Sequence, residues 1–206
     1  MRRFHLFEWE DFDWFPDVLR NGMTDYLQKA ADLLDLASPI VPIIEKGLIK
    51  GRTRQIIDIC SGGGGAIVGV NRKLQIEHGH KIKITLTDLY PNLSAFKRIA
   101  NQSGGTINYH SESVNAMQVP ETLTGLRTQF LSLHHFKPND AKRILQNAAD
   151  SNAPISVFEA TERKVVNLIG MLLLPIMVWL ITPFIKPFTL SRFVFTYLIP
   201  LIPLCT

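Results

Sequence analysis

The stretch Gln55-Ile-Ile-Asp-Ile-Cys-Ser-Gly-Gly-Gly-Gly65 decides the fold of this chain. It begins with apolar, β-branched residues, which indicate a buried strand, and it places the acid Asp58 at the end of that strand. The glycines that follow permit positive φ angles and a close approach of the backbone to a ligand. The stretch therefore predicts a strand, a glycine loop that binds a ligand, and a helix after the loop.

Two known classes of glycine loop do not fit the spacing of these glycines. A dinucleotide fingerprint needs a third glycine three residues beyond its second, but those positions hold Ile67 or Val68. A phosphate-binding P-loop ends in Gly-Lys-Ser/Thr, whereas Gly69 is followed by Val70 and Asn71. A loop that merely turns the strand into a helix remains an alternative.

Asp88 stands at the end of a second predicted strand, residues 81–87, in which apolar and polar residues alternate. In nucleotide-binding α/β sheets, an acid at this place accepts hydrogen bonds from the two ribose hydroxyls. The alternative is that Asp88, which precedes Pro91 and Asn92, forms a turn or caps a helix. After this glycine loop, we favour the ribose role.

Three more strands are predicted at residues 106–110, 128–133 and 154–159. The first of them leads to Asn115-Ala-Met117, and the second ends in His134-His135. Strands that alternate with helical segments predict an α/β fold with a parallel sheet flanked by helices.

The order of these motifs resembles that of class I S-adenosylmethionine-dependent methyltransferases, which have a Rossmann-like fold. Cys60 stands where that family usually has its first glycine, and Asn115 stands where it often has Asp. An amide oxygen at Asn115 can still accept a hydrogen bond from the adenine amino group. The resemblance implies S-adenosyl-L-methionine as cofactor. The residues that it implies for binding the cofactor are Asp58, Cys60, Ser61, Gly62, Gly63, Gly64, Asp88, Leu89, Asn115, Ala116, Met117 and Leu133.

Essentially the whole chain is similar to one group of bacterial class I methyltransferases whose methyl acceptor is not identified. The matching segments are residues 7–16, 24–27, 58–65, 132–138, 158–161 and 195–203. Members of that group continue past the apolar tail into further strands. The resemblance therefore implies that this chain is truncated at its C-terminus and lacks the terminal strand hairpin of the sheet.

His134 and His135 are the candidate catalytic residues. In this family the methyl group is transferred by in-line displacement, and an oxygen or nitrogen acceptor requires removal of a proton, for which imidazole is suited at neutral pH. Two adjacent side chains usually differ in direction, so one of them is expected to point into the sheet or to cap the next helix. Glu159, Asp11 and Asp13 are alternative bases.

Composition predicts three segments: a helical cap at 1–50, a cofactor-binding domain at 51–164 and an apolar helical segment at 165–206. Apolar residues at helical spacing predict a helix within residues 15–36, and Pro39, Pro42 and Gly47 are expected to break this helical pattern before Ile56. The formal net charge of +4 is mild and no basic run occurs, so nucleic acid is not an expected partner. Two cysteines fit a reducing cytosol, and no metal site is predicted.

The tail combines length and apolarity in an unusual way. Residues 165–185 carry no charge and are long enough to cross a bilayer, which takes about 20 residues. Pro175 and Pro183 argue against a straight span. We expect a hairpin in the plane of a membrane surface; a buried apolar lid and an oligomer interface remain alternatives. The membrane interpretation makes a lipid-like acceptor plausible beside a small molecule.

Two other classes of function remain open. A catalytically silent scaffold, which binds cofactor or membrane, would share these motifs. A nicotinamide-dependent reductase would use a related sheet, but the absent third glycine disfavours it.

Overall fold

The computed structural model describes Trp9, Phe12 and residues 14–76, 81–159 and 165–205, with the backbone alone described for 165–171. The alternative bases Asp11 and Asp13 lie outside the described residues. The chain divides into two compact units. We call Ala31–Glu159 the sheet unit, and the described residues up to Ala30 together with 165–205 the tail unit.

Among the described residues, five parallel strands form one sheet in the order β3-β2-β1-β4-β5. The strands are β1 (Gln55–Asp58), β2 (Lys83–Leu86), β3 (Ile107–Tyr109), β4 (Leu126–Phe130) and β5 (Ile155–Phe158). In the register, Ile56 lies opposite both Ile84 and Leu126. The strand order reverses between β1 and β4, because β2 and β3 extend one side of β1 and β4 and β5 the other. The predicted Rossmann-like α/β fold is confirmed.

Helices cover both faces of this sheet. They are α2 (Val41–Lys50), α3 (Gly65–Ile76), α4 (Leu93–Gln102) and α5 (Pro138–Asp150). On one face, the buried side chains of Ile44, Leu74 and Phe96 pack with the strand residues Ile56 and Ile84. On the other face, a separate apolar cluster joins α5 to β1. Burial on both faces explains why the strands are rich in Ile and Leu.

The fourth strand is displaced from its predicted position at 128–133. It runs from Leu126 to Phe130, because Leu131 adopts a φ of +48° and so leaves the extended conformation. The short 3-10 turn Leu133–His135 follows. The two histidines therefore lie beyond the end of the strand, on a turn.

The expected break is confirmed at Pro39, which lies in the turn at residues 34–40 before α2. It is wrong at Pro42 and Gly47, since both lie within α2. Pro42 lies in its first turn, where a missing N–H costs no helical hydrogen bond. Gly47 lies inside the helix, and a Cβ there would stand 3.0 Å from Leu126 Cδ2, so a small residue permits close helix–sheet packing. Because α2 buries Val41, Ile44 and Leu48 in the sheet unit, the division at Ala31 differs from the expected boundary at residue 50.

The tail unit consists of helices. They are α1 (Asp17–Leu33, of which the part up to Ala30 belongs to this unit), α6 (Val165–Ile181), the 3-10 turn Thr182–Phe184, α7 (Leu190–Phe193), the π-helical turn Val194–Leu198 and α8 (Leu201–Cys205). Its core includes Phe15, Met23, Val178, Ile181 and Ile202. No helix in the described part of the chain has both the length and the apolar character that a membrane crossing requires.

Candidate functional site

The carboxyl ends of β1 and β4 meet where the strand order reverses, which is where open α/β sheets bind ligands. Hydrogen bonds connect the loops at this edge. The Ser61 N–H donates to the Thr87 carbonyl at 3.0 Å and joins the loop after β1 to the loop after β2. The Val114 N–H donates to the Asp88 carbonyl at 2.8 Å, and Ser113 Oγ donates to the Leu89 carbonyl at 2.7 Å. Three loops thus form one connected rim.

The loop after β1 uses the backbone freedom that its glycines provide. Gly62 has a φ of +53° and Gly64 one of +95°, which is a region that side chains strain. Cys60 has a φ of +56°, so the position where the family usually has glycine does require a left-handed conformation. Cys60 Sγ accepts a weak hydrogen bond of 3.9 Å from Gln129 Nε2 of β4. The cysteine therefore adopts the backbone conformation of a glycine.

The last two glycines of the run differ in their surroundings. A Cβ on Gly64 would clash with Ile99 Cδ1 of α4 and approach Val68 Cγ2 to 3.2 Å. A Cβ on Gly65 would meet no atom within 4 Å. The structure thus places Gly64, a predicted cofactor-binding residue, where it permits close packing of α4 on the loop, and it leaves space beside Gly65.

Asp58 lies beneath this loop and is only 2% exposed. Its Oδ1 accepts a hydrogen bond of 2.6 Å from Thr128 Oγ1, and its Oδ2 accepts one of 2.7 Å from Ser61 Oγ. The net pKa of Asp58 is raised to about 7. Burial is the largest cause; the two hydroxyls lower the pKa, and the charge of Asp88 adds a smaller increase. Both carboxylate oxygens thus have internal partners, through which Asp58 ties β1 to β4 and to the loop.

Asp88 lies on the rim and points its carboxylate at the glycine loop. Its Oδ2 accepts a hydrogen bond of 2.8 Å from the Gly62 N–H, and its Oδ1 accepts one of 2.9 Å from the Tyr90 N–H. The cap of α4 is Asn92, whose Oδ1 accepts from the Ala95 N–H at 3.1 Å. Asp88 therefore does form a turn, but it does not cap the helix, and it joins the ends of β1 and β2.

The predicted adenine segment lies at the same rim. Asn115 is exposed, and its Oδ1 accepts a hydrogen bond of 2.9 Å from the Met117 N–H, which starts the 3-10 turn Ala116–Gln118. Ala116 is buried against Ile57 in the core, and Met117 is half-buried. A carbonyl oxygen can accept two hydrogen bonds, so this cap leaves the predicted acceptor role chemically feasible.

The turn after β4 brings His134 to Glu159, which follows β5. His134 Nδ1 and Glu159 Oε2 are 2.7 Å apart, and the Leu133 N–H donates to Glu159 Oε1 at 2.8 Å. Burial raises the pKa of Glu159, but the hydrogen bond and charge of His134 and the backbone N–H groups outweigh it, so the net pKa is lowered. The His135 ring stacks on that of His134 with centroids 4.5 Å apart. Glu159, predicted as an alternative base, is the partner of the predicted base.

Thr128 and Gln129 were missed by the motif analysis, although both are buried on β4 beside the glycine loop. The signal available in the sequence was a run of three polar residues, Arg127 to Gln129, between the apolar residues Leu126 and Phe130 of a parallel strand, where buried polar groups need partners. In the described part of the chain, no cluster of three or more His, Cys, Asp or Glu side chains has an arrangement that could hold a metal ion.

No family model matches the chain, and no curated protein matches it. Among solved structures, it is similar to an O-methyltransferase family protein from Burkholderia thailandensis, with 18% identity and a TM-score of 0.46. The alignment covers 69% of this chain and 44% of that protein, so this chain spans less than half of the protein's length. Similarity at this level adds nothing to the fold that the strand order already defines.

Proposed function

We propose that this chain is an S-adenosylmethionine-dependent methyltransferase that acts on a small-molecule or lipid-like acceptor through an oxygen or nitrogen atom. The observation that carries the proposal is the 2.8 Å hydrogen bond from the Gly62 N–H to Asp88 Oδ2. It joins a glycine loop and a strand-end acid at the edge where sheets of this topology bind nucleotides. The glycine spacing of the loop, which fits neither a dinucleotide fingerprint nor a P-loop, supports this cofactor over those alternatives.

The residues of the rim fit the cofactor by their chemistry. A carboxylate can accept about four hydrogen bonds, so the two backbone bonds to Asp88 are compatible with its also accepting from ribose hydroxyls. The positive φ of Gly62 turns the backbone of the loop toward this acid. Asn115 and Met117 would hold the adenine. When bound, the cofactor supplies a methyl group activated by a positively charged sulfur.

His134 is the residue that we propose as the base. Glu159 holds its Nδ1, so a proton from the acceptor would be taken by the other ring nitrogen, Nε2. A carboxylate paired in this way orients the imidazole and stabilises the imidazolium that forms. The lowered pKa of Glu159 keeps its carboxyl ionised at neutral pH, as this role requires. Asp58 is unsuited to be the base, because it is buried and both of its oxygens accept from hydroxyls.

Calorimetric titration with S-adenosylhomocysteine tests the cofactor. We expect binding by the purified chain and a loss of about 10-fold or more in Asp88→Asn, since hydrogen bonds to a charged group contribute about 1.5–3 kcal/mol. The matched control is Asp150→Asn, the same change at an exposed position at the end of α5, and it should bind as the unaltered chain does. A nicotinamide dinucleotide should give no heat.

Two results would contradict the cofactor assignment. One is the absence of any binding by a chain that melts cooperatively. The other is equal affinity in Asp88→Asn and in the unaltered chain. Preferential binding of the nicotinamide dinucleotide would instead favour the reductase.

The histidine–carboxylate pair has a spectroscopic test that needs no acceptor. We expect a downfield Nδ1 proton resonance that disappears both in His134→Gln and in Glu159→Gln and that persists in the control Glu121→Gln. Once an acceptor is found, Glu159→Gln should lower kcat by about 10- to 100-fold with little change in KM, because general bases contribute about 10²–10⁴-fold. Unchanged kcat in His134→Gln would exclude this residue as the base.

A further inference from the structure

Helix α6 is apolar on all of its described sides, but only one side is covered. Val178 and Ile181 are buried in the core of the tail unit. Leu172, Leu173, Ile176, Met177 and Leu180 are exposed, with Leu172 at 79%. Their spacing places them on one side of the helix, and we call these five residues the apolar face. A helix that is hydrophobic all round is normally enclosed by protein or by lipid.

Exposed aromatic and aliphatic side chains continue beyond this helix. Phe184, Phe188 and Leu190 are each more than two-thirds exposed, and Leu198 and Leu204 are similarly exposed further along the chain. Contiguous exposed apolar surface of more than a few hundred Å² is rare on monomeric soluble proteins and marks interaction sites. The tail unit therefore presents a surface that calls for a partner.

The charges beside the apolar face indicate the sign of the charge on that partner. The described residues of the tail unit contain four cations, Arg20, Lys29, Lys186 and Arg192, and two acids, Asp17 and Asp25. Both acids are paired inside the unit: Asp17 Oδ1 lies 2.6 Å from Arg20 Nη1, and Asp25 Oδ2 lies 2.6 Å from Arg192 Nη1. Lys29 and Lys186 have no acidic partner in this part of the chain. Residues 165–206, which carry the apolar face, contain two cations and no acidic residue. Arg192 is paired with Asp25, whereas Lys186 is exposed, so the surface beside the apolar face is complementary to an anionic one.

We propose that the apolar face lies in the plane of an anionic phospholipid surface, with Lys186 at the level of the headgroups. A protein interface is a poorer match, because such interfaces carry about one hydrogen bond per 100–200 Å². The apolar face has no polar side-chain atom, and the nearby Trp179 Nε1 already donates to the Thr196 carbonyl at 2.9 Å. Helix α6 has 17 residues, with Pro175 inside it, whereas a crossing takes about 20, so an orientation parallel to the surface fits it better than a crossing.

Sedimentation with lipid vesicles, using the full chain, tests this proposal. We expect binding to vesicles of phosphatidylcholine with phosphatidylglycerol, and weaker binding to phosphatidylcholine alone. Leu180→Asp should weaken binding by about 10-fold or more, because it removes an exposed aliphatic side chain that the lipid would bury and adds an unfavourable charge. The matched control, Leu34→Asp, changes an equally exposed leucine of the sheet unit and should bind as the unaltered chain does.

The electrostatic contribution to vesicle binding is tested with a second variant and its matched control. Lys186→Ala should weaken binding to anionic vesicles by about 5-fold, which corresponds to about 1 kcal/mol per cation near such a surface. Lys50→Ala, at an exposed lysine of α2, should have no effect. Far-ultraviolet circular dichroism of every variant shows whether it has folded. If Leu180→Asp does not fold, the test uses the fluorescence of Trp179 in a chain with Trp9 and Trp14 changed to Phe. We expect the emission of Trp179 to shift to shorter wavelength when vesicles are added.

Three results would overturn the proposal. The first is that the chain does not sediment with anionic vesicles. The second is that folded Leu180→Asp binds these vesicles as well as Leu34→Asp does. The third is that the chain does not bind vesicles but forms a dimer in solution, which Leu180→Asp dissociates. The last result would make the apolar face an interface between copies of this chain. Vesicle binding requires no methyl transfer, so these results are independent of the proposed activity.

Discussion

Replacing Asp58 by Asn should change how the stability of this protein depends on pH. The carboxyl is buried, and it accepts hydrogen bonds from Thr128 and Ser61. Burial is the largest cause of its raised pKa, about 7 against an ordinary value of 3.8. An amide has nearly the same shape and can keep one hydroxyl as donor and the other as acceptor, but it cannot titrate.

The sign and size follow from proton linkage. Between pH 4 and 7 the carboxyl of the unfolded chain is ionised while that of the folded chain is protonated. Because the folded state then binds more protons, its free energy of unfolding falls as pH rises through this window and levels off above about pH 7. The shift of about three pKa units corresponds to about 4 kcal/mol, at 1.36 kcal/mol per unit. The stability that Asp58 contributes is therefore greatest in acid.

Urea unfolding of the cofactor-free chain from pH 4 to 8 measures this effect. The free energy of unfolding of the unaltered chain, relative to that of Asp58→Asn, should fall by about 4 kcal/mol as pH rises from 4 to 7.5. Glu121→Gln, which removes an exposed carboxyl with no described partner, should run parallel to the unaltered chain. A constant difference between Asp58→Asn and the unaltered chain at all pH values would refute the reasoning.

Two further predictions concern packing and a buried charge. Gly64→Ala should destabilise the fold by about 3 kcal/mol, because the added Cβ would clash with Ile99 and the backbone φ is +95°. Gly65→Ala should cost only about 1 kcal/mol, because its φ is +35° and the Cβ would lie in open space. Equal losses of stability in urea unfolding would contradict this. Arg192→Leu should destabilise by about 3–5 kcal/mol, since it removes the cation whose Nη1 lies 2.6 Å from Oδ2 of the largely buried Asp25, and adding Asp25→Asn should restore part of that loss. A double variant no more stable than Arg192→Leu in thermal unfolding would show that the ion pair is not the cause.

The sheet could be predicted from sequence because short segments with apolar residues, bounded by turns, alternate with helical segments. The glycine loop, Asp88 and Asn115 also follow successive strands in the order that the resemblance requires, and in a parallel sheet the ends of successive strands meet at one edge. The position of β4 could not be predicted. Leu131 adopts a left-handed conformation that nothing in its residue type signals, and this moves His134 onto a turn.

The role of Asp58 could not be predicted, because it depends on a residue 70 positions away in the chain. A motif records that an acid precedes the glycine loop, but not that Thr128 donates to it from the neighbouring strand. The helix α2 was missed for a different reason. Proline signals a break only in the interior of a helix, whereas Pro42 lies in the first turn of α2. Gly47 lies inside α2, where the absence of a side chain permits close packing on Leu126.

Three carboxyl groups at the same edge of the sheet have three different environments, and these environments assign their roles. Asp58 is enclosed, and burial raises its pKa to about 7 although the Thr128 and Ser61 hydroxyls lower it, so its role is to support the loop. Asp88 accepts from the backbone N–H groups of Gly62 and Tyr90 on the rim, which keeps a charge where ribose hydroxyls would lie. Glu159 is paired with an imidazole and has a lowered pKa. Residue type alone does not distinguish these roles, whereas the partners that the fold provides do. Substitution of Asp58 should therefore affect stability, substitution of Asp88 the affinity for the proposed cofactor, and substitution of Glu159 turnover.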